Sequence, residues 1–173
     1  MEGATARKEM SVAVLKTALA IEEFGIKFYS ELGECVADER GRALMRSLGN
    51  DEKDHARIIR KEMDRLSAGN YERGAEPLKE YLEILPSKVF MKPEGSCLTL
   101  EDEIAAIQKG IEVEVNSIKM YQDALDRAID PKTKSTFEEL LRWEFRHREI
   151  LEENMRTLKL GGAWYGYGPI LEG

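Results

Sequence analysis

Cysteine is nearly missing from this chain: only Cys35 and Cys97 occur, with no Cys-x-x-Cys pair and no closely spaced framework. A thiolate metal knuckle is therefore excluded. In a cytoplasmic protein two buried thiols are expected, rather than a disulfide between them. Proline (five) and tryptophan (two) are scarce, while 34% of residues are charged, the balance of long helices with solvated outer faces. Basic clusters are missing too. The net charge is −7, which leaves attraction to nucleic acid or an anionic bilayer without an electrostatic source. Nor is there a long hydrophobic run. "VAVLKTALAI" is interrupted by Lys16, is too short to span a bilayer, and follows nothing that resembles a signal peptide. The expectation is a cytoplasmic all-α protein, one domain over 1–173, since 173 residues suffice for one proper core and not for two.

What the chain does have is four long amphipathic segments. Their inward positions recur every three or four residues. Over roughly 8–36 they are Leu15, Ala18, Glu22, Gly25, Ile26, Tyr29 and Leu32; over 39–67 they are Leu44, Leu48, Glu52, His55, Ile59 and Leu66. Over 101–129 they are Ile104, Ile107, Ile111, Glu114, Ile118, Tyr121 and Leu125; over 131–159 they are Phe137, Leu140, Glu144, His147, Leu151 and Leu158. Such seams suit four helices packed nearly parallel in a bundle. Asp38 and Asp130 are expected N-caps, Pro131 fits a first helical position, and Thr99 with Asp102 has the form of a capping box. Gly69 and Gly161 stand where helices end in a left-handed residue. Residues 68–100, with one short helix at "PLKEYLEIL", are more than a hairpin needs and predict a crossover joining two antiparallel helix hairpins.

The two hairpins look like copies. A shift of 92 residues, without a gap, lays Glu22 on Glu114, Ile26 on Ile118, Lys27 on Lys119, Tyr29 on Tyr121, Asp38 on Asp130, Glu52 on Glu144 and His55 on His147. The lone Glu precedes the Glu of Glu-x-x-His by 30 residues in each half, and the chain's only two histidines are those of the two motifs.

Residues three apart on a helix differ by about 60° and rise roughly 4.5 Å, so Glu52 with His55, and Glu144 with His147, can each reach one point. Antiparallel pairing brings Glu22 and Glu114 level with them. Four ionised carboxylates in a dry core would cost several kcal/mol each. Two divalent cations cancel that charge, and neutral imidazoles complete the shells without disturbing the balance. Oxygen-rich coordination with one imidazole per ion favours iron or manganese over structural zinc. Tyr29 and Tyr121, two turns from the lone acids, are candidates to hydrogen-bond the ligating carboxylates, though ordinary core tyrosines would occupy the same positions. Glu23 and Glu112 fall off the seam and face solvent.

"AIEEFGIKFY" with "LGNDEKDHARII", then "GIEVEVNSIKMY" with "LLRWEFRHREI", resemble the two halves of a ferritin-like di-iron protein of the rubrerythrin-related group, over about residues 10–158. The resemblance implies that Glu22, Glu52, His55, Glu114, Glu144 and His147 are iron ligands, with Glu52 and Glu144 as bridges, and that the chain forms a homodimer. It implies two-electron reduction of hydrogen peroxide or dioxygen at the di-iron centre. Ferroxidase and iron-storage activity is the alternative, and a helical interaction module with a vestigial site is a second. Rubrerythrins proper add a four-cysteine rubredoxin domain, so an external electron donor is expected here. Ser117 stands where they tend to carry a further Glu, and Lys53 where a haem-ligating Met of bacterioferritin would follow, so haem is not implied. The tail over 160–173, "GGAWYGYGPILEG" at its core, is expected to fold back on the bundle or on a partner chain, because its glycines forbid a helix and its aromatics are costly to leave in water.

Overall fold

A computed structural model describes residues 2–67, 76–83, 85 and 98–166. Among the described residues five helices follow one another: α1 (Glu2–Cys35), α2 (Glu39–Ser67), α3 (Lys79–Leu82), α4 (Leu100–Arg127) and α5 (Pro131–Lys159). The first begins six residues before the seam that predicted it, and the short helix shrinks to four residues. The helix termini carry the expected chemistry. Asp38 Oδ1 accepts from the backbone N–H groups of Arg40 and Gly41, and Asp130 accepts from those of Lys132 and Thr133. Thr99 and Asp102 complete a capping box, and Gly161 ends α5 at φ 77°. Each device satisfies amide groups that a helix end leaves without a partner. Gly69 lies outside the described residues.

α1 packs along α2, and α4 along α5, while α1 also meets α4 and α2 meets α5. The chain direction follows from two tie points. At one end the Leu98 N–H donates to the Cys35 carbonyl at 2.9 Å; at the other, Glu62 near the end of α2 accepts from the Thr133 hydroxyl at the start of α5. The connection between α2 and α4 therefore runs from one end of the bundle to the other, as a crossover must. Its described part, α3, lies against α1, where the Leu78 N–H donates to the Thr17 hydroxyl.

Among the described residues the apolar core is in two pieces. One, at the α1–α2 loop end, contains Phe28, Leu32, Leu44, Leu48, Ile107, Leu151 and Trp164. The other, toward the opposite end, contains Leu15, Ile21, Ile59, Met63, Phe137 and Leu140. A polar layer separates them. Most seam positions are buried as the periodicity predicts; Ile26, Leu66, Ile104 and Leu125 are only half-buried. Cys35 is also half-buried, so the expected buried thiol is corrected to one at the margin of the core; Cys97 lies outside the described residues. Trp164 settles the tail's first residues onto the chain's own bundle. It is 1% exposed, and its indole N–H donates to Glu103 Oε2 at 2.9 Å.

Candidate metal centre

The polar layer is formed by the seam acids and imidazoles. Glu22 comes from α1, Glu52 and His55 from α2, Glu114 from α4, and Glu144 and His147 from α5; each is at most 3% exposed. Glu52, His55, Glu144 and His147 form the tight set, offering atoms that all lie within 4.8 Å of one another. Glu22 and Glu114 flank it, one on each side.

Both histidines turn Nδ1 toward the acids. His55 Nδ1 lies 3.2 Å from Glu22 Oε2, 3.2 Å from Glu52 Oε2 and 3.3 Å from Glu144 Oε1. His147 Nδ1 lies 3.1 Å from Glu52 Oε1 and 3.8 Å from Glu114 Oε2. The two oxygens of Glu52 thus address different imidazoles, whose rings stack with centroids 5.3 Å apart. The two tyrosines cross between hairpins: Tyr29 donates to Glu114 Oε1 and Tyr121 to Glu22 Oε1. Burial, reinforced by Glu114 beside Tyr29 and by Glu22 beside Tyr121, holds both phenols well above their usual pKa, so they remain donors at neutral pH.

Without a cation the cluster must compensate with protons. Burial, then the charge of Glu52, pushes Glu22 up to about 8, and burial with the neighbouring carboxylates holds Glu144 well above the ordinary range. Burial opposes the charge of Glu52 too, but hydrogen bonding with Glu22 and the charge of His147 outweigh it and keep Glu52 ionised. Burial likewise disfavours imidazolium, yet the surrounding carboxylates win and raise both histidines. Even so, His55 Nε2, Glu144 Oε1 and both nitrogens of His147 are buried without a hydrogen-bond partner among the described residues. Buried polar atoms left in this way are rare and point to something missing. Oxygen and imidazole donors converging between two dry apolar layers fit a pair of divalent cations, which would take up Glu144 Oε1 and His147 Nδ1 and balance the carboxylates together, while the Nε2 atoms lie on the far side of each ring.

Sequence periodicity overlooked two neighbours. Asp51 Oδ2 lies 3.5 Å from His147 Nε2, and the Trp143 ring sits 5.9 Å from the His55 ring and 6.3 Å from that of His147. Each immediately precedes the Glu of a Glu-x-x-His motif, and the 92-residue shift superposes them. That mismatch between otherwise parallel halves was the available signal. Gly25 is the other neighbour whose role only packing reveals: a Cβ there would stand 3.2 Å from Glu52 Cγ.

Helices in this order, with a carboxylate–imidazole layer across the middle, define a ferritin-like bundle. The rubrerythrin family model matches residues 13–155, and the chain belongs to the rubrerythrin family. Among solved structures, a hypothetical protein from Pyrococcus furiosus is similar at a TM-score of 0.70 and 19% identity, over 89% of this chain and 93% of that one. A protein from Anabaena variabilis with DJ-1/ThiJ/PfpI-like and ferritin-like domains is similar at a TM-score of 0.65 and 17% identity, over 96% of this chain and 41% of that one. Those two likenesses speak to the fold. No curated protein matches. Among the described residues no helix is long and apolar enough to cross a membrane.

Proposed function

We propose that this chain is a non-haem di-iron oxidoreductase that reduces hydrogen peroxide or dioxygen by two electrons and is restored by a separate donor protein. The observation that carries the reading is Glu52. Its carboxylate is buried, and its two oxygens lie 3.2 and 3.1 Å from the Nδ1 atoms of two different histidines, the placement of a group shared by two ions. Glu22 with His55, and Glu114 with His147, then complete one side each, and Glu144 joins them from α5. An iron pair, if held there by these six residues, would supply the two electrons.

The chain's own residues do the rest. Leu48 and Leu151 on one side, Ile59 and Leu140 on the other, keep bulk water from the layer and lower the dielectric around it. Tyr29 and Tyr121 fix one oxygen of each flanking acid, leaving the other turned toward an imidazole. Because each tyrosine reaches the opposite hairpin, the two halves cannot shift against each other without loosening the site. Four carboxylates and neutral imidazoles would balance two divalent ions, so these residues would hold the pair without net charge in the buried layer.

Stopped-flow mixing tests the proposal. The reduced, iron-loaded protein should oxidise on mixing with peroxide much faster than free ferrous ion does, and Glu52→Ala should abolish the difference. Absence of any stoichiometric metal in freshly purified protein would instead leave a helical interaction module. A very large particle carrying far more than two irons per chain would establish iron storage; a homodimer on size-exclusion chromatography is the expected result.

A further inference from the structure

We propose that the two ion positions are unequal, and that Asp51 is the positioning residue that makes the position beside His147 fill first and hold its ion more tightly. The inference rests on the two-ion reading above and concerns what lies behind each imidazole. The 92-residue repeat makes the six inward ionisable residues match in pairs, so a site built from them alone would be two-fold symmetric. The residues behind the histidines break that symmetry.

An imidazole that gives Nδ1 to a cation has its proton on Nε2, and the charge of the ion makes that N–H a stronger donor. A carboxylate that accepts it fixes the ring's orientation and increases the ligand's electron donation. Behind His147 such a carboxylate exists: Asp51 Oδ2 is 3.5 Å from Nε2. This is longer than a good hydrogen bond. Asp51, however, keeps 26% of its side chain in solvent, and so has room to close the few tenths of an ångström.

Behind His55 the corresponding residue is Trp143. Its ring lies 5.9 Å from the imidazole and tilts 52° to it, and an indole offers one N–H donor and no lone-pair acceptor. Among the described residues the Nε2 atoms of both histidines are buried without a hydrogen-bond partner, and the difference is that His147 Nε2 has the Asp51 carboxylate 3.5 Å away. The Arg146 guanidinium stands 5.5 Å above the same indole. His55 therefore offers the less basic and less firmly oriented nitrogen. Its ion is the one expected to exchange.

Stepwise affinities alone do not test this, because two cations a few ångströms apart repel and separate the binding constants even in a symmetric site. The location of the first ion does. Metal-free full-length protein given one equivalent of cobalt(II) should crystallise with the anomalous peak beside His147; at two equivalents both positions fill. In Asp51→Asn the first ion should divide between the positions, and calorimetry should show the tighter site weakened about 10- to 100-fold with the weaker one unchanged. Asp51→Glu should restore the preference, which a merely structural defect would not allow. Should Asp51→Asn not fold, Trp143→Asp examines the same idea from the other side: it should draw the first ion toward His55. A first ion shared equally in the wild type, or unmoved by both Asp51→Asn and Trp143→Asp, overturns the inference while leaving a two-ion protein intact. Failure to bind any cobalt overturns the proposed function along with it.

Discussion

Tyr29, on the first hairpin, donates its hydroxyl proton to Glu114, on the second, and neither group has contact with solvent beyond 1% exposure. The bond ties the hairpins together at the height of the polar layer. Tyr29→Phe removes the donor and leaves a buried carboxylate oxygen unpaired, which costs about 1–3 kcal/mol. For a chain of this size the melting temperature of the metal-free protein should fall by roughly 2–12 °C. Tyr121→Phe should behave alike through Glu22. A melting temperature unchanged in both variants would mean that these tyrosines do no more than fill space.

Trp164 supports the loop end of the bundle in a similar way. Gly41 is pressed against it so closely that a Cβ would stand 2.7 Å from the indole. Glu103 accepts from the indole N–H with one oxygen and from the Ala37 N–H with the other, tying the tail, α4 and the α1–α2 loop to one carboxylate. Asn154 holds the next residues by accepting from the Tyr165 and Gly166 N–H groups. Trp164→Ala should cost about 3–5 kcal/mol, measured by denaturant unfolding. Gly41→Ala should destabilise as well, although alanine is the better helix former, because the indole cannot retreat from a filled core.

How much of this was legible beforehand depends on whether an element has a period. Helical seams do, so the positions of Glu22, Glu52, His55, Glu114, Glu144 and His147 in one buried layer could be read from spacing and from the 92-residue repeat. Caps such as Asp130 and Thr99 could be read because their chemistry is local. Asp51 showed only as a mismatch with Trp143 in the repeat: it stands on α2, four residues before His55, and lies near His147 on α5, a relation set by how two helices are rotated against each other. The crossing of Tyr29 and Tyr121 is hidden for the same reason. Trp164 was foreseen only as a residue needing cover, since nothing in a glycine-rich segment says which surface will supply it.

Glu62 gives the fold a dependence on acid. It is 4% exposed, accepts from Arg65 at 2.8 and 2.6 Å and from the Thr133 hydroxyl at 2.6 Å, and so closes α2 onto the start of α5. Burial works against its charge, but the Arg65 and Thr133 bonds prevail and lower its pKa below the ordinary 4.5. A carboxyl lowered in the folded state binds fewer protons there than in the unfolded chain. Its stabilisation is complete above about pH 4.5 and is lost as the pH falls through the lower folded value. Glu62→Gln should therefore be less stable than the wild type at pH 7, and the difference should shrink as the pH is lowered below about 4.5. Melting curves of both proteins between pH 7 and pH 3 check the sign. A gap that widened in acid would assign the effect to packing.

Gly25 allows stability and metal binding to be separated. It faces Glu52 across the α1–α2 contact, and an added Cβ would lie 3.2 Å from Cγ and 3.3 Å from Cδ of that residue. Backbone preference favours alanine in a helix interior by roughly 0.5–1 kcal/mol, and the neighbour that must give way is a side chain. The metal-free Gly25→Ala protein should therefore melt within about 4 °C of the wild type. Metal binding has less tolerance. Glu52 spans two histidines at 3.2 and 3.1 Å, so a shift of a few tenths of an ångström toward one is a loss at the other. Sites of this kind work only within about 0.5 Å of their productive geometry. Metal affinity, measured by competition with a chelator, should drop about tenfold or more while the fold is retained. Equal loss of both properties would make Gly25 a packing residue, and unchanged affinity would show that Glu52 is not the group shared between the ions.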